Sequence, residues 1–216
     1  MEQLPTEKPV YVLTNYIYQF IVANLLFAAS NLLFLLVLVF VPLVPEHTIF
    51  LFLGLLPLSP ALGALFYTMG KLSRTGEAEP FRDYFAGYRK NFKISAVFGT
   101  LQLAFLFLLL INIAIVGNES LLFPFFLVLM ILTLLLGCYA FSILSRFEIG
   151  LKSLFAASLF GLFKRKKQTL VLLVILIFSF YLYITQIFTA IFFFTAPIVY
   201  LVVLTLKTVM KSLEEN

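Results

Sequence analysis

The side chains able to do chemistry inside the apolar stretches of this chain are amides. Asn24 and Asn31 stand seven residues apart and so share one face of a helix, while Gln102, Asn112 and Gln186 occupy other apolar segments. An amide brings donors and an acceptor without charge. In a membrane helix that suits hydrogen bonding to a neighbouring helix, worth on the order of 1 kcal/mol. The other use is coordination of a neutral sugar, which needs hydrogen bonds and no counter-charge, and Asn24, Asn31 and Gln102 are the residues placed for it. No Asp, Glu, Lys, Arg or His falls at the middle of an expected span. Proton relays and voltage sensors depend on such groups, so both are disfavoured.

Other chemistries leave no pattern. The sequence has no Gly-rich phosphate loop, no HExxH and no GxSxG. Cys138 is the single cysteine and has no His or Cys nearby, which excludes an internal disulfide and a metal cluster and leaves packing as its role. His47 beside Glu46 has no partner and reads as a solvated loop. The expectation is a protein with no catalytic, cofactor-binding or metal-binding residues, and not an enzyme.

The elements that must position the amides are membrane helices. With 62% hydrophobic residues, 12% charged and a mean hydropathy of +1.09, the chain cannot coat a water-soluble globule. About 20 apolar residues cross a hydrocarbon core of about 30 Å, so this length allows about five to seven spans in one integral membrane domain, 1–216. The net charge of +5 would suit nucleic acid only if the basic residues formed one water-facing footprint, and no nucleic-acid partner is expected. Glu2, Glu7 and Lys8 precede an apolar stretch too long for a signal-peptide core and followed by no small-residue cleavage site, so the first span should be retained.

The expected fold is an all-α polytopic bundle of about six spans, near 17–41, 48–70, 94–116, 121–144, 169–186 and 188–206, with two cytoplasmic amphipathic helices. The first span ends in a proline-bounded turn over 42–45. Pro57 and Pro60 predict a kink in the second. Gly117-Asn118-Glu119-Ser120 is a tight turn with Ser120 placed to cap the next helix. Residues 170–206 hold no charge, and as one helix they would measure about 55 Å, so two spans with a turn near Thr185-Gln186 fit better. With six spans, all fifteen Lys and Arg lie on one side, and the loops at 42–48 and 117–120 carry none. That is a positive-inside pattern for a plasma membrane protein with both termini cytoplasmic.

Two stretches carry the basic residues. Phe81, Tyr84, Phe85, Tyr88 and Phe92 fall on one helical face while Arg82, Asp83, Arg89, Lys90 and Lys93 take the other, which predicts a helix lying in the membrane surface. Residues 145–168 echo it, with Leu151, Leu154, Phe155, Leu159, Leu162 and Phe163 leading to Lys164-Arg165-Lys166-Lys167, a weak internal repeat. Anionic lipid attracts such residues by about 1 kcal/mol each. Docking of a cytosolic partner is the alternative, as coupling helices of transporter permeases do. The permease loop pattern is not met, because Glu77-Ala78-Glu79 is followed by Pro80 and no I-x-L-P appears.

Pro60-Ala61, the spacing of Phe81, Phe85, Lys90, Asn91 and Phe92, and Tyr139 leading to Arg146-Phe147 resemble the YesL-like family of bacterial membrane proteins, and Asn24 also fits. The resemblance runs from about residue 11 to 211, with a departure in the absence of Trp. It implies a small multi-span protein of Gram-positive plasma membranes whose members are associated by context with carbohydrate uptake and utilisation. The expectation is an auxiliary component of such a system, partnered by membrane lipids and a carbohydrate transporter complex or other membrane proteins. The alternatives are a membrane scaffold or regulator without a solute path and a small self-sufficient transporter.

Overall fold

A computed structural model describes residues 9–42 and 47–214, so Lys8, Glu46 and most of the expected 42–45 turn lie outside the described residues. Every regular element among the described residues is a helix. Six helical stretches are long and apolar enough to cross a membrane: Val12–Ser30, Thr48–Thr75, Pro80–Val116, Phe123–Leu144, Lys166–Thr185 and Ile187–Lys211. Leu36, Leu101, Leu108, Ile111, Val174 and Ile177 point outward from the bundle, an apolar coat that water would penalise and lipid accepts.

The chain breaks its helices where a backbone bond is lost or contested. Helix α1 (Pro9–Ser30) stops at Asn31, before α2 (Leu32–Phe40), so the stretch expected as a single span over 17–41 is two helices. The Asn31 Nδ2 donates to the Phe27 carbonyl at 2.8 Å, in competition with its own backbone N–H, which reaches Phe27 and Ala28 at 3.1 Å. Between α3 (Thr48–Leu55) and α4 (Leu58–Thr75), Pro57 has no N–H to give the Leu53 carbonyl. The Leu56 N–H takes that carbonyl instead at 3.3 Å, a tighter turn that marks the expected interruption. Helix α4 ends where Gly76, at φ +76°, donates its N–H to Leu72.

Helix α5 (Pro80–Val116) departs from expectation, because the surface helix over 81–93 and the span from 94 are one continuous element. Pro80 stands in the first turn, where its missing N–H costs nothing, and the helix contains no other proline. At 1.5 Å per residue the helix is about 55 Å long, so about half of it projects beyond a hydrocarbon core of about 30 Å. Helix α6 (Phe123–Leu144) starts without the expected cap: the Ser120 Oγ accepts from the Leu122 N–H at 3.3 Å inside the turn. Helix α7 (Leu151–Lys164) meets α8 (Lys166–Thr185) at Arg165, and α8 ends at Gln186. A single turn, α9 (Ile187–Thr189), leads through a π-helical segment, Ala190–Phe194, into α10 (Thr195–Glu214).

Helix α4 is central and packs on α1, α5, α6 and α10. Small residues allow this: Ser59, Ala61, Gly63, Ala64 and Gly70 are all buried. Against α5 they form a reciprocal pair of small-xxx-small steps, in which Gly63 faces Ser95 and Gly99 faces Ser59 closely enough that a Cβ on either glycine would meet the opposing side chain. Gly99→Ala should therefore destabilise the protein by about 1–3 kcal/mol despite alanine's better helix propensity. Thermal unfolding in detergent checks this, and adding Ser59→Gly should recover part of the loss. Equal stability of Gly99→Ala and the parent would contradict the packing.

Candidate functional sites: an amide-bridged helix break and a basic end

Asn24 is fully buried and bridges two parts of the last helix. Pro197 has no N–H, so in an α-helix the carbonyl four residues earlier, Phe193, would go unserved. The Asn24 Nδ2 donates to that carbonyl at 2.9 Å, and its Oδ1 accepts the Ala196 N–H at 2.8 Å. One side chain thus serves an acceptor and a donor at the same register shift. The wide turn is held from a second side, where the Thr195 N–H and its Oγ1 both reach the Ala190 carbonyl and the Tyr183 hydroxyl bonds the Thr195 Oγ1 at 2.7 Å. Helices α1, α8 and α10 meet there through side-chain bonds.

The remaining amides are not brought together. The Gln102 Nε2 donates to the Thr133 carbonyl of α6 at 2.7 Å, its side chain lying against Gly137. Asn31 and Asn112 donate to carbonyls of their own helices, Phe27 and Leu108, at 2.8 Å. Gln186 is exposed at the end of α8. These five residues act at separate places, and none lines either described cavity.

Basic residues gather at the opposite end of the molecule from the Gly117 turn. Lys71 of α4 pairs with Asp83 of α5 at 2.7 Å, and the second Asp83 oxygen accepts the Glu79 N–H at 2.9 Å, which holds the start of α5. Lys90 reaches Glu148 at 2.9 Å and lies over the Tyr67 ring. The Asn91 Nδ2 donates to the Leu144 carbonyl at the end of α6, and the Lys207 Nζ to the Ser73 carbonyl at 2.7 Å. Lys164 stacks over Phe160, Arg165 occupies the α7–α8 joint, and Lys166 and Lys167 are exposed. The side-chain ties make one polar collar from α4, α5, α6 and α10.

Within the expected faces of residues 81–93, Phe81, Phe85, Phe92 and the basic residues Arg82, Arg89, Lys90 and Lys93 are exposed, whereas Asp83 and Tyr84 are not. Phe81 (63% exposed), Phe85 and Phe92 (45%) point outward, with Phe81 and Phe85 in edge contact, and Arg89 and Lys93 are exposed. Asp83, expected on the polar outer face, is 5% exposed, and Tyr84 is buried with its hydroxyl donating to Ser30. The inward stripe is Pro80, Asp83, Tyr84, Gly87, Asn91, Ser95 and Phe98. Gly87 and Ser95 let α5 approach α4 closely, and Asp83 and Asn91 bond neighbouring helices, which places the buried face away from the aromatic stripe. Sequence reasoning missed the ties of Lys71 to Asp83 and of Lys207 to the Ser73 carbonyl. Acidity in the first turn of α5 was the available signal for Asp83.

Residues 46–113, covering α3, α4 and most of α5, match the model of a family described as a protein of unknown function, DUF624. No curated protein and no solved structure matches the chain.

Replacing Asn24 tests the bridge. An ordinary interhelical hydrogen bond in a membrane is worth about 0.6 kcal/mol, whereas a stranded buried backbone group costs about 1–3 kcal/mol. Asn24→Leu should then cost about 2 kcal/mol or more, measured by denaturant unfolding in detergent micelles. In a Pro197→Ala background the same change should cost at least about 1 kcal/mol less, because an N–H is restored opposite Phe193. Equal costs in both backgrounds would remove Asn24 from the account of the break.

Proposed function

We propose that this protein is a non-enzymatic, non-conducting accessory component of a plasma membrane uptake system, with its basic collar on the cytoplasmic side. The observation that carries this reading is the use of the interior amides: Asn24 and Gln102 are committed to backbone carbonyls of other helices, and Asn31 and Asn112 to their own. A sugar passing between these helices would have to break bonds that hold the fold. The rigid part of the molecule that presents charge is the collar, where α5 projects beyond the apolar layer with exposed Phe81, Phe85, Arg89, Phe92 and Lys93. Such a surface suits anionic lipid and the cytosolic face of a membrane partner.

The link to carbohydrate uptake rests on the resemblance to the YesL-like family, with which the DUF624 match over 46–113 is compatible. Scaffolding of membrane proteins without any sugar connection is the second reading, favoured by the same committed amides. A self-sufficient transporter fits them least.

Deletion of the gene, followed by uptake of a panel of labelled oligosaccharides and affinity purification from the parent strain, separates these readings. Lost uptake with a co-purifying permease is the expected result. Normal uptake of every sugar with co-purification of unrelated membrane proteins would replace it with the scaffold. Uptake by the purified protein alone in liposomes would establish a transporter. Reporter fusions after Gly76 and Glu119 should report inside and outside respectively, and the reverse would overturn the orientation.

A further inference from the structure

The breaks within the spans are held in different ways. At Pro197 the break is bridged from other helices, by Asn24 of α1 and by the Tyr183–Thr195 bond. At Asn31 and at Leu56–Pro57 the described bonds are local: the Asn31 Nδ2 donates to the Phe27 carbonyl at 2.8 Å, and the Leu56 N–H to the Leu53 carbonyl at 3.3 Å. A bond to a second helix fixes the angle of a break, whereas a bond within one turn leaves that angle free to change.

The two helices beyond these breaks, α2 and α3, form a unit. Gly54 of α3 is buried against α2, where a Cβ would come 3.1 Å from the Val37 side chain and 3.5 Å from the Phe34 Cα. Nearer the tip, the His47 Nδ1 lies 3.0 Å from the Pro42 carbonyl and joins the two arms. The arms, of nine and eight residues, are about 12–14 Å long, close to half of a hydrocarbon core of about 30 Å. With Gly54 opposite Phe34 and Val37, Pro57 falls nearly opposite Asn31, so both breaks lie within about 3 Å of one level.

The attachment of this unit to the bundle is lighter. Among the described residues α2 buries none and α3 only Gly54, whereas α4, which continues the same span, buries twelve of its eighteen. Phe34, Leu35 and Leu38 are half-buried against the core, and the Phe52 ring meets Phe107 of α5 edge-on at 5.3 Å. Lipid tails are as apolar as these side chains, so in a membrane no hydrophobic force holds them on the bundle. We propose that the α2–α3 hairpin is a hinged flap, which swings as one body about Asn31 and Leu56–Pro57 and is latched by Phe52 on Phe107. Swinging out opens the seam between α3 and the half of α5 nearest Gly117 to the bilayer, on the side away from the collar. Such hinge motion belongs to the microsecond to millisecond range. This inference stands apart from the proposed accessory role.

The test uses the full-length protein in nanodiscs, with Cys138→Ala and pairs of spin labels at exposed positions, read by double electron–electron resonance. Val39 of α2 and Ile49 of α3 are each paired with Val174 of α8, and Leu101 of α5 with Val174 is the control. Both hairpin pairs should show a second distance, in the parent or, where the latch holds fully, in Phe107→Ala, while the control shows one. Loss of an aromatic edge contact should raise the second population about threefold or more, by the same factor in both pairs. Phe105→Ala, which removes an outward-facing ring from the same helix, should leave the populations as they are. Asn31→Leu with Pro57→Ala, which straightens both joints, should return each pair to one distance. Hairpin pairs as narrow as the control in both the parent and Phe107→Ala would overturn the proposal. So would changes at Val39 without changes at Ile49, an equal effect of Phe105→Ala, or two distances that persist after both joints are straightened.

Discussion

A proline in a membrane helix leaves a carbonyl that lipid cannot serve, and much of this fold depends on how that carbonyl is met at Pro197. The last helix opens into a wide turn over Ala190–Phe194, and Asn24 answers from α1 with a donor to Phe193 and an acceptor for Ala196. A bond to a side chain of another helix cannot be made unless the two helices lie at one distance and register. The first and last helices are thereby fixed together although their bridged residues are about 170 positions apart. Tyr183 and Thr195 fix α8 to the same point. At the other proline break, Pro57, the Leu56 N–H closes the gap within the chain by taking the Leu53 carbonyl.

The gross architecture is legible in the sequence because it depends on composition and on breakers. Six apolar stretches, the interruption at Pro57 and the turn at Gln186 all correspond to local features of the chain. Asn24 can be singled out as a buried amide making an interhelical bond, but its partners cannot, since they depend on which helix stands opposite. Residues 81–93 read as a separate surface helix because their aromatic stripe has the right period and a helix at a water boundary turns its aromatics inward. Close packing on α4 and α6 reverses the sides: Gly87, Asn91 and Ser95 turn inward, and Phe81, Phe85 and Phe92 turn out. The small-residue steps from Ser59 to Gly63 and from Ser95 to Gly99 are equally present in the sequence, but small residues at that spacing carry no hydropathy signal.

The polar groups of the molecule separate into an interior set and a charged end. Four interior side chains are committed to joints between helices: Asn24, Gln102, Asn91 and Tyr139, whose hydroxyl meets Thr169. Four of the residues that carry the family resemblance, Asn24, Pro60, Asn91 and Tyr139, are buried at such joints, so they describe how the bundle is closed more than what it does. The charged end differs: the ion pairs described there are partly exposed and individually weak. The close α4–α5 packing lies beneath this end.

The central claim is that one amide completes the broken helix. Amide hydrogen exchange at Ala196, followed in the parent protein and in Asn24→Leu under the same detergent conditions, tests it most directly. The Ala196 N–H should exchange as slowly as the buried core in the parent and much faster in the variant, with amides in the α4–α5 pair unchanged. Equal protection of Ala196 in both proteins would contradict it.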